Sequence, residues 1–178
     1  MYNEKDGLAL LEQIEEAKEF IVEQEFENAI DVLDKALDII GEMEEMYAEE
    51  TVKICKLQGL CYRKNNMFEE GIEVLNKAEN LCRKLYLKRN DIAWRRELAI
   101  CYMNKAIIYD SQERVREAIQ LYKSAIELFS DLNDNESRVK AMLSLGVAYG
   151  KINNYQEVKA LYKQALNIIG SDYLLENY

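Results

Sequence analysis

The sequence predicts an all-α fold, a solenoid of about four helix–turn–helix pairs. Three observations predict it. The 178 residues contain no proline and only seven glycines, and Leu, Ala, Ile, Glu and Lys dominate, a composition that favours helix over strand. One spaced pattern of small, aromatic and apolar residues recurs four times along the chain. Between and within the copies stand short polar turns rather than long loops.

The pattern is a small residue, an aromatic three later, an apolar residue six further on, then small, bulky apolar and Ala. The first copy is Ala17, Phe20, Phe26, Ala29, Leu33 and Ala36. The second is Gly59, Tyr62, Phe68, Gly71, Leu75 and Ala78. The third is Ala106, Tyr109, Val115, Ala118, Tyr122 and Ala125. The fourth is Gly146, Tyr149, Tyr155, Val158, Tyr162 and Ala165. A small residue on the first helix of each pair lets the second approach, and the aromatic fills the space beside that contact. Asn65-Asn66 and Asn153-Asn154 are read as turn formers, because Asn tolerates the left-handed backbone of helix ends. Asn90-Asp91 and Asn133-Asp134-Asn135 read as breaks that also cap the next helix.

This pattern resembles the tetratricopeptide repeat (TPR) over about residues 8–169, and the resemblance implies that the pairs stack into a right-handed superhelical solenoid. The repeats fall at approximately 8–48, 49–89, 91–132 and 135–169 of a single domain, 1–178, with 171–178 as a C-terminal cap or tail. Gly170 reads as a helix stop, and Tyr173, Leu174, Leu175 and Tyr178 as a fragment of a capping helix. Without a cap, the open end of the array favours self-association into a homodimer. The chain departs from the family in lacking the closing proline. The usual apolar residue before the small one is replaced by Glu16, Gln58 and Lys105, and only Leu145 keeps it. The copies start 42, 47 and 40 residues apart, against about 34 for a standard repeat. Lengthened helices are expected to absorb the surplus, since a structureless insertion would be polar and Gly-rich.

Repeats of about 40 residues resemble those of bacterial peptide-sensing regulators, including the Rap and related quorum-sensing families, and those of kinesin light chains and spindle-orientation adaptors. The regulators usually carry a helical effector segment before the repeats, and residues 1–9 are too few for one. Two functions therefore remain open: a protein- or peptide-binding scaffold or adaptor, and the peptide-sensing domain of a quorum-sensing-type regulator.

Catalysis is poorly supplied, and no enzyme is expected. The chain has no histidine, no Gly-rich phosphate loop and no Gly-x-Ser-x-Gly elbow. Cys55, Cys61, Cys82 and Cys101 lie inside apolar helical patterns and fit neither zinc nor redox spacing, so reduced core thiols of a cytoplasmic protein are expected. Neither cofactor nor metal is implied. No run of eighteen apolar residues occurs, so no membrane span is expected. Net charge is −10, with 17 acidic and 3 basic side chains in residues 1–50 against 16 and 20 in the remainder. An acidic chain of this kind does not bind nucleic acid by itself.

The resemblance places partner binding on the first helices of the pairs, which line the concave groove of TPR proteins. The candidates are Lys53, Lys56, Leu60 and Arg63, then Met103, Asn104 and Ile107, then Lys140, Leu143 and Ser144. Lysines and an amide over apolar residues suit a protein or peptide carrying an acidic group or a free C-terminal carboxylate. Lys56, Asn104 and Lys140 match the carboxylate clamp of chaperone-tail-binding TPR domains, whereas Leu60 and Ser144 depart from it. Trp94, beside Arg95 and Arg96, is read first as a core anchor and second as an interface hot spot.

Overall fold

Each copy of the pattern folds into two helices. The structure, a computed structural model, describes residues 4–176, with side chains described for 6–170. Among the described residues there are eight α-helices and no strand: α1 (Glu4–Val22), α2 (Phe26–Ile40), α3 (Ala48–Lys64), α4 (Phe68–Arg89), α5 (Ile92–Ser111), α6 (Val115–Asp131), α7 (Asn135–Lys151) and α8 (Tyr155–Glu176). The chain forms two compact units, residues 1–97 and 98–178, each with its own core. No helix among the described residues is long and apolar enough to cross a membrane.

The turns inside the pairs share one geometry. The carbonyl of the signature aromatic accepts a hydrogen bond from the amide five residues on: Glu25 to Phe20 at 2.8 Å, Met67 to Tyr62 at 2.8 Å, Arg114 to Tyr109 at 2.9 Å and Asn154 to Tyr149 at 2.9 Å. That bond needs a left-handed residue just before the donor. Asn66 (φ 59°) and Asn153 (φ 58°) supply it as the sequence predicts, but Gln24 (φ 63°) and Glu113 (φ 61°) supply it in the first and third turns. Between repeats, Asn90 and Asn133 are also left-handed. Asp91 and Asp134 accept hydrogen bonds from the amides of Ala93 and Ser137, capping α5 and α7 as expected.

In the first unit, Leu10, Ile14 and Ala17 of α1 meet Val32, Leu33, Ala36 and Ile40 of α2, with Ile54 of α3 closing the cluster. Gln58, fully buried on α3, donates to Asp34 of α2 at 2.6 Å. Partial burial, then repulsion from Asp31, push the Asp34 carboxyl above the usual carboxylate range, against the Gln58 hydrogen bond. An acid whose folded pKa exceeds its unfolded one opposes folding at neutral pH, and the penalty fades as pH falls through the folded value and is gone below the unfolded one. Asp34→Asn keeps an acceptor for Gln58 and removes the charge. It should therefore stabilise the chain at pH 7, with the gain shrinking towards pH 3 in urea titrations; a gain independent of pH would refute the electrostatic account.

In the second unit, Ala106, Ala118, Ile119 and Tyr122 meet Met142, Leu145, Ala148, Tyr149 and Leu161. The small residues of the pattern sit where helices approach most closely. A Cβ on Gly59 would lie 2.9 Å from Cγ of Leu75, and one on Gly146 would lie 2.5 Å from Cε1 of Tyr162. The glycine of the first helix thus receives the bulky apolar residue of the second. All four cysteines are free and buried. Burial pushes the Cys55 and Cys61 thiols up to about 11, which keeps them protonated at neutral pH.

Two expectations need correction. Lengthened helices do absorb part of the surplus, in the 22-residue α4 and the 20-residue α5. The first surplus is instead a connection, 41–47, between α2 and α3. Gly41 (φ 52°) breaks the helix, and Tyr47, fully buried, anchors the far end. Lys77 pairs with Glu44 at 2.6 Å, Lys84 and Lys88 both pair with Glu45, and Arg89 reaches the Glu45 carbonyl at 3.4 Å. The two lysines hold the Glu45 carboxyl down to about 2. The segment is therefore ordered by its side chains although its text is helix-forming. Nor does Gly170 stop α8, which continues to Glu176. One glycine inside a helix costs only about 1 kcal/mol, and Leu174, Leu175 and Glu176 beyond it are good helix formers. The side chains expected to cap the array, 171–178, lie outside the described ones.

Candidate functional site

A concavity lies in the first unit, between α3 and the first turns of α5. It encloses about 420 Å³. Glu49, Val52, Lys53 and Lys56 line it from α3, and Asp91, Ala93, Trp94, Arg96 and Glu97 from the start of α5. Asn90 ends the 22-residue α4 in a left-handed conformation, and Asp91 restarts the chain as the α5 cap. That break sets Trp94 and Glu97, one turn apart, against the α3 face that carries Lys53 and Lys56.

The lining joins an apolar wall to charges of both signs. Trp94 is 5% exposed and Val52 is buried. Lys56 donates to Glu97 at 2.5 Å, and both side chains are about three-quarters covered. Lys53 lies 4.0 Å from Glu15 of α1, which Lys18 already holds at 2.6 Å. Burial, then the positive charge of Lys18, pull the Lys53 ammonium below its ordinary range. Carboxylates at Glu49 and Asp91 and the exposed guanidinium of Arg96 complete the rim. The arrangement can hold a group that carries both hydrogen-bond donors and a negative charge, with an apolar side chain against Trp94.

A second depression, of about 650 Å³, lies in the other unit at the start of α6. Its basic groups are largely engaged: Arg114 pairs with Glu117 at 2.9 Å and Lys151 with Asp110 at 2.8 Å. Among the described residues no cluster of three or more cysteines and carboxylates is placed to hold a metal ion.

The structure separates the sequence-predicted site residues. It brings Lys53 and Lys56 together in the cavity. Leu60 and Arg63, half-buried, lie further along α3 and do not line it. Met103, Asn104 and Ile107 are half-buried on α5, and Ile107 packs against the core of the second unit. On α7, Lys140 pairs with Glu136, Ser144 donates to the Lys140 carbonyl at 3.1 Å, and Leu143 is 45% exposed. Lys56 and Lys140 of the clamp-like subset thus each already face a carboxylate of the chain. Trp94 is buried, in keeping with the core-anchor reading, and it also forms a wall of the cavity. Glu49, Asp91, Arg96 and Glu97 were not expected; the cap followed by Trp-Arg-Arg was the available signal.

Residues 97–169 match the family model described as tetratricopeptide repeat. Over that span the helices match tetratricopeptide repeats, and the earlier pairs carry the same spaced pattern. Among curated proteins, none matches the chain by sequence. Solved structures share the TPR fold at low identity. The apo form of RapI matches with a TM-score of 0.79 at 17% identity, covering 92% of this chain and 57% of that one. A Rap protein complexed with Competence and Sporulation Factor matches with a TM-score of 0.79 at 19% identity, over 96% and 44%. Aspartyl phosphate phosphatase F from Bacillus subtilis matches with a TM-score of 0.78 at 14% identity, over 97% and 43%. The chain therefore spans roughly half the length of these structures.

Proposed function

We propose that this TPR chain is a protein- or peptide-binding scaffold that works by recognition rather than catalysis, in the cytoplasm. The observation that carries the reading is the cavity beside Trp94, where an apolar wall meets Lys53, Lys56 and Arg96. The ligand is a peptide segment with an acidic group, or a free C-terminal carboxylate, that competes with Glu97 for Lys56. A second reading, the sensor domain of a peptide-responsive regulator, is favoured by the fold shared with a Rap protein complexed with Competence and Sporulation Factor.

Trp94 is the one tryptophan of the chain, so its fluorescence reports on the cavity directly. Short acidic peptides with free or amidated C-termini should shift its emission on titration. Lys53→Met/Arg96→Met should weaken that binding at least about tenfold, as expected for charge-assisted hydrogen bonds of ~1.5–3 kcal/mol. Binding seen by calorimetry with no change in Trp94 emission, and undiminished in the double variant, would place the ligand elsewhere. Capture of a folded protein through such a segment would favour the scaffold; a short peptide bound with no protein captured would favour the sensor.

A further inference from the structure

Two lysines line the cavity beside Trp94, and they are held differently. Lys53 is loosely held: its side chain is 40% exposed, and Glu15, 4.0 Å away, already accepts from Lys18 at 2.6 Å. Lys56 is firmly held: it donates to Glu97 at 2.5 Å, and the two side chains are only 23% and 28% exposed. This pair joins α3 to the second turn of α5, so no single helix dictates it, unlike the i,i+4 pair of Lys140 with Glu136. Of the three carboxylates that line the cavity, Glu97 is the one that bonds a lining lysine. Asp91 is committed to the α5 cap through the Ala93 amide at 2.9 Å, and Glu49 is exposed.

Glu97 therefore shows what the cavity does with a carboxylate. It places one against Lys56, about three-quarters covered, in a cavity walled by Trp94 and Val52. An acidic ligand aimed at Lys56 meets that position already filled by the chain's own side chain. Binding then requires Glu97 to swing towards water through its side-chain torsions, and the apparent affinity falls by the fraction of molecules in which Lys56 is free. Exchanging one carboxylate for another at Lys56 gains little, so charge alone selects nothing there. What tips the exchange is a second contact made by the same ligand, an apolar side chain laid against Trp94.

We propose, on the reading of this cavity as a peptide site, that Glu97 is its specificity-determining residue: a built-in competitor that holds Lys56 until a peptide carboxylate with a large apolar neighbour replaces it. The ligand class narrows to chains that present both groups together. A polar acidic ligand is left to compete with Glu97 on equal terms.

The test titrates the whole chain by calorimetry with short peptides ending in leucine, their C-termini free or amidated. Glu97→Gln keeps an oxygen facing Lys56 and removes the charge. It should raise affinity for the free-acid peptide at least about tenfold, the gain expected when Lys56 is free in about a tenth of wild-type molecules or fewer. The amidated peptide does not draw on Lys56 and should bind both proteins alike. In the wild-type chain, a free-acid peptide ending in alanine should bind at least about tenfold more weakly than the one ending in leucine. Glu117→Gln removes the same charge from an exposed pair in the other unit and should change none of these affinities. Should Glu97→Gln unfold, Glu97→Asp, shorter by one methylene, replaces it and should raise the free-acid affinity at least about threefold. Unchanged or weaker binding of the free-acid peptide to these variants would overturn the proposal while leaving the peptide site standing, because the Lys56–Glu97 pair would then be a strut between α3 and α5. A gain shared equally by the amidated peptide, or equal affinity for the leucine and alanine peptides, would overturn it too. Binding of no peptide to either protein would remove the peptide site itself, and the competitor with it.

Discussion

Tyr47→Ala is expected to destabilise the first unit by about 3–5 kcal/mol, the range for removing a buried aromatic ring. Tyr47 is fully buried, and it packs with Leu33, Ile40 and Ile54 at the junction of the first two repeats. Its backbone carbonyl also accepts the hydroxyl of fully buried Thr51 at 2.8 Å, which ties the start of α3 to the same point. Losing the ring therefore opens a cavity and loosens the 41–47 connection together. The ion pairs of Glu44 and Glu45 cannot make up the loss, because exposed pairs contribute little in water. Urea unfolding followed by the fluorescence of Trp94, which lies in the same unit, measures the change. A loss below about 1 kcal/mol would mean that the connection carries no part of the core.

Why the repeats were legible and this connection was not has a physical answer. Ala17, Gly59, Ala106 and Gly146 mark helix crossings because only a small residue admits Leu75 or Tyr162 so closely, and that constraint writes itself into the spacing. Segment 41–47 obeys no such constraint. Its Glu and Met residues are good helix formers, and its order comes from lysines more than thirty residues away and from the burial of Tyr47. Gln24 and Glu113 escaped notice likewise, since their left-handed backbone follows from the aromatic carbonyl's hydrogen bond and not from their own chemistry. In the cavity, Lys53 and Lys56 were legible as a basic pair one turn apart on a first helix. Their partners Trp94 and Glu97 were not, because the approach of α5 to α3 depends on how far α4 runs before Asn90 stops it.

The same crossing logic separates the two first-helix glycines of the pattern, Gly59 and Gly146. Gly59→Val places a Cβ 2.9 Å from Cγ of Leu75 and within 3.1 Å of both its methyl carbons. Leu75 is fully buried, and its Cγ is no flexible tip, so α3 and α4 must part. Overpacking of this kind costs about 1–3 kcal/mol, and the few tenths gained by leaving glycine for valine in a helix do not offset it. At Gly146 the nearer atom, Cε1 of Tyr162, belongs to a ring that is 37% exposed and can swing towards solvent. Gly146→Ala should therefore come out near neutral, the strain cancelling against a helix gain of up to ~1 kcal/mol. The shorter distance carries the smaller penalty. Pairing Gly59→Val with Leu75→Ala should recover part of the loss, with a coupling of about 1 kcal/mol or more in a double-mutant cycle. Simple additivity of the two substitutions would show that Leu75 is not what Gly59 makes room for.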